Sequence, residues 1–187
     1  MDKMKFIETE IQGVFIIQNL LFQDERGKFI KTFQRSLFTE MGIKFDLKEN
    51  FYSISALGVI RGLHFQSPPF AQKKLVYVPR GRIMDIVLDI RVNSPSYLKN
   101  IVVELSEENC CSIYIPIGCA HGFQSLDNKT ITVYSQGAEY EPSADGGINP
   151  LSLNIEWPIK EYIISQKDKN YKHISDFESP FKKLINK

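Results

Sequence analysis

The residues of this chain best suited to acid–base chemistry are two histidines set in apolar, strand-like surroundings, a lysine that opens an apolar run, and two tyrosines around a turn. His64 lies in Val59–Gln66, VIRGLHFQ, two places after Gly62, whose missing side chain lets a ligand approach the strand. His121 stands among small residues in Gly118-Cys119-Ala120-His121-Gly122-Phe123, Lys74 opens the run KLVYV, and Tyr134 and Tyr140 bracket a turn that contains Gly137. An imidazole takes or gives a proton near neutral pH. An ammonium at a barrel mouth offers positive charge, and a phenol offers a proton. Each has a plainer reading beside it: histidines hydrogen-bonded within a core, a lysine at a strand edge, tyrosines that plug a barrel. The third histidine, His173, falls in a polar stretch and is expected to be exposed. Strict alternation along VIRGLHFQ sets Ile60, Gly62, His64 and Gln66 on one face and Arg61, Leu63 and Phe65 on the other.

Several chemistries lack their signatures. No H-x-H or H-E-x-x-H occurs and the two candidate histidines are far apart in sequence, so no metal site is expected. There is no GxGxxG, no phosphate-binding P-loop and no G-x-S-x-G, which argues against a dinucleotide dehydrogenase, a nucleoside triphosphatase and a serine hydrolase. The three cysteines, Cys110, Cys111 and Cys119, are odd in number and two are adjacent, a pattern for free thiols rather than a disulfide framework.

The elements that must carry these groups read mostly as strands. The expected strands are 14–18, 28–34, 50–55, Val59–Gln66, 74–78, 82–91, 100–105, 112–115, 122–126 and 130–134, with a turn at 24–27 between the first two. Turn signals at 57–58, 67–69, 79–81, 93–95, 116–118 and 127–129 separate the later ones. One short helix, 37–41, is expected with Ser36 as its cap and Gly42 as its stop. Beyond Pro142 the pattern loosens, and Trp157-Pro158 and 163–168 read as a tail wrapped over the barrel. Many short strands at near-regular spacing, without helical crossovers, predict an all-β antiparallel sandwich or barrel. Its length of 187 residues suits a single domain, 1–187. With 43% apolar and 24% charged residues and a net charge of +1, it has the composition of a globular protein without an electrostatic grip on nucleic acid or an anionic membrane. Neither a signal-peptide core nor an apolar run of the roughly 20 residues a membrane helix needs is present. A cytoplasmic location is the expectation.

Taken together, the segments DERGKF (24–29), VIRGLHFQ, AQKKLV (71–76), DIVLDIR (85–91) with Ser94-Pro95, AHGF (120–123), Tyr134 with Ala138-Glu139-Tyr140, IEWP (155–158) and SQKD (165–168) resemble the dTDP-4-dehydrorhamnose 3,5-epimerase family. The resemblance implies a cupin-like antiparallel jelly-roll barrel with short peripheral helices. It also implies a homodimer in which a strand of one subunit completes the other's site, and catalysis without metal or other cofactor on a nucleotide-diphosphate sugar. The family reaction removes a proton next to a C4 ketone and returns one from the opposite face. It therefore needs a base, an oxyanion stabiliser and an acid. By resemblance His64 is the base and Asp168 orients it, Lys74 faces the enolate, and Tyr134 returns the proton. Arg26 and Arg61 hold the diphosphate, Phe29 and Tyr140 stack on the nucleobase, His121 sits by the sugar or positions His64, and Gln66 also lines the substrate site. A role in making a cell-envelope sugar would follow.

The chain departs from the family pattern at its nucleotide end. Lys31 stands where a glutamate is usual, Glu49 and Phe51 replace Gln-x-Asn, and the region of Asn149-Pro150 lacks the family's Trp-x-Asp-Pro. Besides a dTDP-sugar 3,5- or mono-epimerase, a CDP-linked or other substrate is therefore open, with Glu49 accepting from the cytosine amine and Lys31 donating to a ring acceptor. A 3,4-ketoisomerase and a non-catalytic nucleotide-sugar-binding module are the further alternatives.

Overall fold

The structure, a computed structural model, describes residues 4–182. Its first strands are β1 (Lys5–Glu8) and β2 (Phe15–Gln18), followed by a hairpin of β3 (Leu20–Asp24) and β4 (Gly27–Lys31) and by helix α1 (Arg35–Glu40). Eight strands then run in succession: β5 (Glu49–Ser55), β6 (Val59–Gln66), β7 (Lys74–Arg80), β8 (Arg82–Asp89), β9 (Asn100–Ser106), β10 (Cys111–Ile115), β11 (Cys119–Ser125) and β12 (Thr130–Gln136). They divide between two antiparallel sheets, alternating except at the β8–β9 hairpin, which stays in one sheet. One has the order β1-β2-β10-β7-β12-β5. The other runs from β6 through β11 and β8 to β9, with the short β13 (Asp145–Gly147) on the outer side of β6. The spatial orders 5-12-7-10 and 6-11-8-9 are those of a double Greek key, so the barrel is a jelly roll.

Hydrophobic patterning explains why both sheets are covered on both faces. Between them lie Val76, Val78, Ile83, Val87, Leu105, Ile113, Ile115 and Phe123. On the outer face of the β6–β9 sheet, Met84, Ile86 and Leu88 pack against Ile148, Leu153, Trp157 and Phe181 from the carboxyl-terminal stretch. This stretch also lays β14 (Ile163–Ile164) parallel to Val59 and Ile60 of β6 and carries helix α2 (Gln166–Lys169). The expected wrapped tail is therefore present. It accounts for β8, whose residues after Arg82 are all buried. The outer face of the other sheet is covered by Phe38 of α1 with Ile43, Phe45 and Tyr114.

Two local expectations are corrected. Strand β2 does not flank the turn at 24–27. It pairs with β1 and β10, and Leu20–Asp24 pairs with Gly27–Lys31 across that turn. Largely exposed on both faces, β3 offers no alternation to read from sequence. Helix α1 begins at Arg35 with Gln34 as N-cap and no side-chain cap, so Ser36 lies inside it. What holds this short helix is Phe38, 1% exposed among Phe33, Phe45 and Tyr114, rather than capping. Gly42, at φ +72°, does stop it. Cys110 and Cys119 are buried free thiols, and Cys111 is half-buried. Burial pushes the Cys119 thiol up to about 12. Among the described residues no helix is long and apolar enough to cross a membrane.

Candidate active site

Strand β6 delivers the central histidine, and a bulge decides what accompanies it. His121 of β11 pairs with His64, but the next pair is Phe123 with Arg61, so Gly62 and Leu63 together oppose Gly122 alone. The alternation expected for this strand is therefore broken. Ile60 joins Leu63 and Phe65 in the core beneath the carboxyl-terminal stretch, and Arg61 joins His64 and Gln66 on the cavity side. Only glycine fits the crossing: Gly62 has φ +109°, and a Cβ there would lie 2.6 Å from Gly122 Cα and from the His121 carbonyl.

His64 lines a cavity of about 740 Å³ between the two sheets. Its Nε2 lies 2.7 Å from Asp168 Oδ1, with the imidazole 35% exposed and the carboxylate 5%. Asp168 is positioned by α2, where the Ser165 hydroxyl accepts from its N–H at 3.0 Å, and its Oδ2 accepts from Gly62 N–H at 3.3 Å. Burial acts to raise the Asp168 carboxyl, but the bonds from His64, Gly62 and Ser165 outweigh it and hold it below the ordinary value. Asp168 thus occupies one ring nitrogen of His64 and leaves Nδ1 for the cavity.

From the facing sheet, Lys74 and Tyr134 point inward. Lys74 is 5% exposed and donates to the His64 carbonyl at 3.1 Å. Loss of hydration lowers its ammonium to about 8, against the opposing pull of Asp145 and Asp85. Tyr134 is buried between Phe51, stacked at 4.9 Å and 19°, and the edge of His121 at 6.1 Å. Burial pushes its phenol well above the ordinary value, so the group stays a proton donor.

His121 lies at the same depth. Its Nε2 is 2.7 Å from Asp85 Oδ2, with both side chains essentially sealed from solvent. Sequence reading had not singled out Asp85, although there was a signal: a carboxylate at the inward position between Ile83 and Val87, within the strand rather than at its end as Asp89 is. Asp145 and Lys167, also missed, line the cavity as an ion pair at its rim.

The remaining expected contacts divide. Arg61 lines the cavity and donates to Ser55 Oγ at 3.1 Å. Tyr140, 54% exposed, also lines it, with its backbone N–H donating to the Glu49 carboxylate at 2.8 Å. Gln66 reaches the cavity wall, but its amide is engaged by backbone: Nε2 donates to Phe70 and Glu139 carbonyls and Oε1 accepts from Glu141. Arg26, Phe29 and Lys31 do not reach the cavity of their own chain. They lie on the β3–β4 hairpin, where Arg26 is paired with Asp24 and 84% exposed, and Phe29 is 60% exposed beside Phe22. His173 is exposed, as expected. Among the described residues no three His, Cys, Asp or Glu side chains are grouped to hold a metal ion.

An imidazole bonded to a carboxylate on one wall, a phenol on the other and an ammonium beside the imidazole are groups able to remove a proton from an acidified C–H bond and return one to the opposite face. The known proteins this chain is similar to are named as sugar epimerases. The family described as dTDP-4-dehydrorhamnose 3,5-epimerase matches residues 8–176. The dTDP-4-dehydrorhamnose 3,5-epimerase of Methanothermobacter thermautotrophicus is 39% identical over 181 residues, 94% of this chain and 97% of the relative. That of Shigella flexneri is 41% identical over 170 residues, 89% and 94% of the two chains. The solved structure of dTDP-6-deoxy-D-glucose-3,5-epimerase from Legionella pneumophila Philadelphia 1, in complex with dTDP-4-keto-L-rhamnose, superposes with a TM-score of 0.89 at 36% identity, covering 94% of this chain and 95% of that one. A match that runs through both sheets and the carboxyl-terminal stretch, with each pair of chains covered nearly end to end, places the chain in the dTDP-4-dehydrorhamnose 3,5-epimerase family.

Proposed function

We propose that the chain epimerises a dTDP-linked 4-keto-6-deoxy sugar by exchanging protons on the carbons next to the C4 ketone. The observation that carries this reading is that His64 and Tyr134 stand on opposed sheets and line one cavity, with the Lys74 ammonium bonded beside His64. His64 takes the α-proton, and the C–H electron pair moves to the C4 oxygen as an enolate. Asp168 holds the imidazole in the tautomer that accepts and steadies the imidazolium that forms. Lys74 faces the enolate oxygen in a site with little water, where its charge acts more strongly than in solution. Tyr134 then gives its proton to the opposite face of the carbon, the enolate collapses to the ketone, and the configuration is inverted.

Arg61 binds the diphosphate at the cavity mouth, and Tyr140 stacks on the base. Arg26, Phe29 and Lys31 act in a second copy of the chain: the hairpin reaches the neighbouring cavity, which makes the enzyme a homodimer. That none of the three lines its own cavity, and that Arg26 and Phe29 are exposed on the hairpin, supports this reading. The thymidine nucleotide is favoured over a cytidine one because the relatives that match this chain nearly end to end are named for dTDP-linked sugars. A binding module has no use for a base and an acid on opposite walls.

Incubation with dTDP-4-keto-6-deoxyglucose in deuterated buffer, followed by NMR, is expected to place deuterium at C3 and C5. Deuterium at one carbon alone makes the enzyme a mono-epimerase, and none at either overturns the proposal. His64→Asn is expected to abolish exchange while dTDP affinity, measured by calorimetry, stays within about threefold, because the base acts on the transition state rather than on nucleotide binding.

A further inference from the structure

Tyr171 stands outside every role assigned above, yet it is built against the base. The backbone after α2 is bonded on both sides of it to the loop that follows β13: Asn149 Nδ2 donates to the Lys169 carbonyl at 2.9 Å, and Asn149 N–H donates to the Lys172 carbonyl at 3.0 Å. Between these anchors the Tyr171 ring lies over Gly147, where a Cβ would meet ring carbons at 2.3 to 2.6 Å. Gly147 is the residue opposite His64 in the β13–β6 pairing. The tyrosine ring therefore fills the position of a side chain next to the imidazole. It meets His64 edge-to-face, with centroids 5.9 Å apart and planes at 70°. Lys167, paired with Asp145, holds its ammonium 6.0 Å from the centre of the same ring. The phenol oxygen is buried on the side of the Lys167 ammonium.

We propose that Tyr171 is a positioning residue for His64. Its ring closes the side of the His64–Asp168 pair that the cavity does not reach, keeps water from it, and holds the imidazole turned toward the substrate. The other ionisable groups around His64 are accounted for: Asp168 of α2 bonds its ring, Lys74 of β7 bonds its carbonyl, His121 of β11 is its strand partner, and Lys167 with Asp145 stands beyond Tyr171. The inference rests on the reading of His64 as the base.

The test compares Tyr171→Phe with Tyr171→Ala by two measurements. Because the contact is made through the ring, Tyr171→Phe is expected to keep kcat within about twofold, whereas Tyr171→Ala loses about tenfold in kcat with KM within about twofold, the pattern of a misoriented base rather than lost binding. Independently of any substrate, carbethoxylation of His64 by diethyl pyrocarbonate, mapped by peptide mass spectrometry, is expected to quicken severalfold in Tyr171→Ala, with exposed His173 reacting at the wild-type rate as reference. Unchanged kcat together with an unchanged His64 modification rate overturns the proposal, as does a rise in KM at constant kcat. If circular dichroism shows Tyr171→Ala unfolded, Tyr171→Leu, which keeps volume without the aromatic edge, is put through both measurements. If wild-type protein exchanges no proton of a keto sugar, the proposed function fails, and the modification rates still decide whether Tyr171 shields His64.

Discussion

Lys74 shows how burial trades stability for chemistry at a single residue. Its ammonium is sealed inside the barrel and lowered by desolvation to about 8, far below a lysine in an unfolded chain. Between about pH 8 and pH 10 the unfolded state therefore binds more protons than the folded one, and folding stability rises with pH across that window. Lys74→Met removes the cost. At pH 7 it is expected to raise stability by an amount on the order of 3 kcal/mol, at ~1.4 kcal/mol per pK unit, and to flatten the rise, as read by denaturant unfolding at pH 7 and 9.5. The same variant is expected to lose about 10²–10³-fold in kcat, as for other preorganised oxyanion groups. In the wild type, turnover that depends on the ammonium falls as pH rises through about 8. A gain in stability without loss of turnover would detach Lys74 from the reaction. Lys74 as a strand-opening residue was legible in the sequence, but its burial was not, because it depends on how the facing sheet closes over it and not on its own strand.

Among the elements, β6 carries most of the consequence. Its bounds, Val59–Gln66, were read correctly from the apolar run between two turn signals, but its faces were not. A bulge is a property of the pair: it exists because Gly122 on β11 meets two residues of β6 at once, and β6 alone holds no trace of its neighbour's register. Gly62→Ala tests this geometry. The added methyl would meet backbone atoms of β11 at 2.6 Å in a conformation that only glycine adopts freely, so about 3 kcal/mol or more of stability is expected to be lost in urea titrations. Activity per folded molecule should fall as well, because Arg61 and His64 can no longer share a face. A variant with wild-type stability would show that the crossing relaxes without cost.

For the molecule as a whole, the jelly roll solves a problem that no single strand could. Two opposed sheets place His64 and Tyr134 across one cavity, and the carboxyl-terminal stretch covers the outer face of one sheet while sending Asp168 through to His64. The hairpin faces away from this centre, which is the physical ground for expecting a second copy. Mixing inactive His64→Asn with a variant carrying Arg26→Ala and Phe29→Ala is expected to restore part of the wild-type rate, because half of the mixed dimers' sites then combine an intact hairpin with an intact base. Mixtures no more active than their parts, in protein that sedimentation shows to be dimeric, would remove the hairpin from catalysis.

The sequence by itself determined the β-rich architecture, the bounds of most barrel strands and the candidate residues, because alternation, turn residues and the matching segments are local properties carried in the order of side chains. Tertiary structure decided which of those residues meet. It put Arg61 beside His64 through a bulge, paired His121 with an unsuspected Asp85, engaged the amide of Gln66 with backbone at the cavity wall, and set Arg26, Phe29 and Lys31 apart on a hairpin. Each of these outcomes depends on a neighbour supplied from elsewhere in the chain, and pairing between distant strands leaves little imprint on either strand alone.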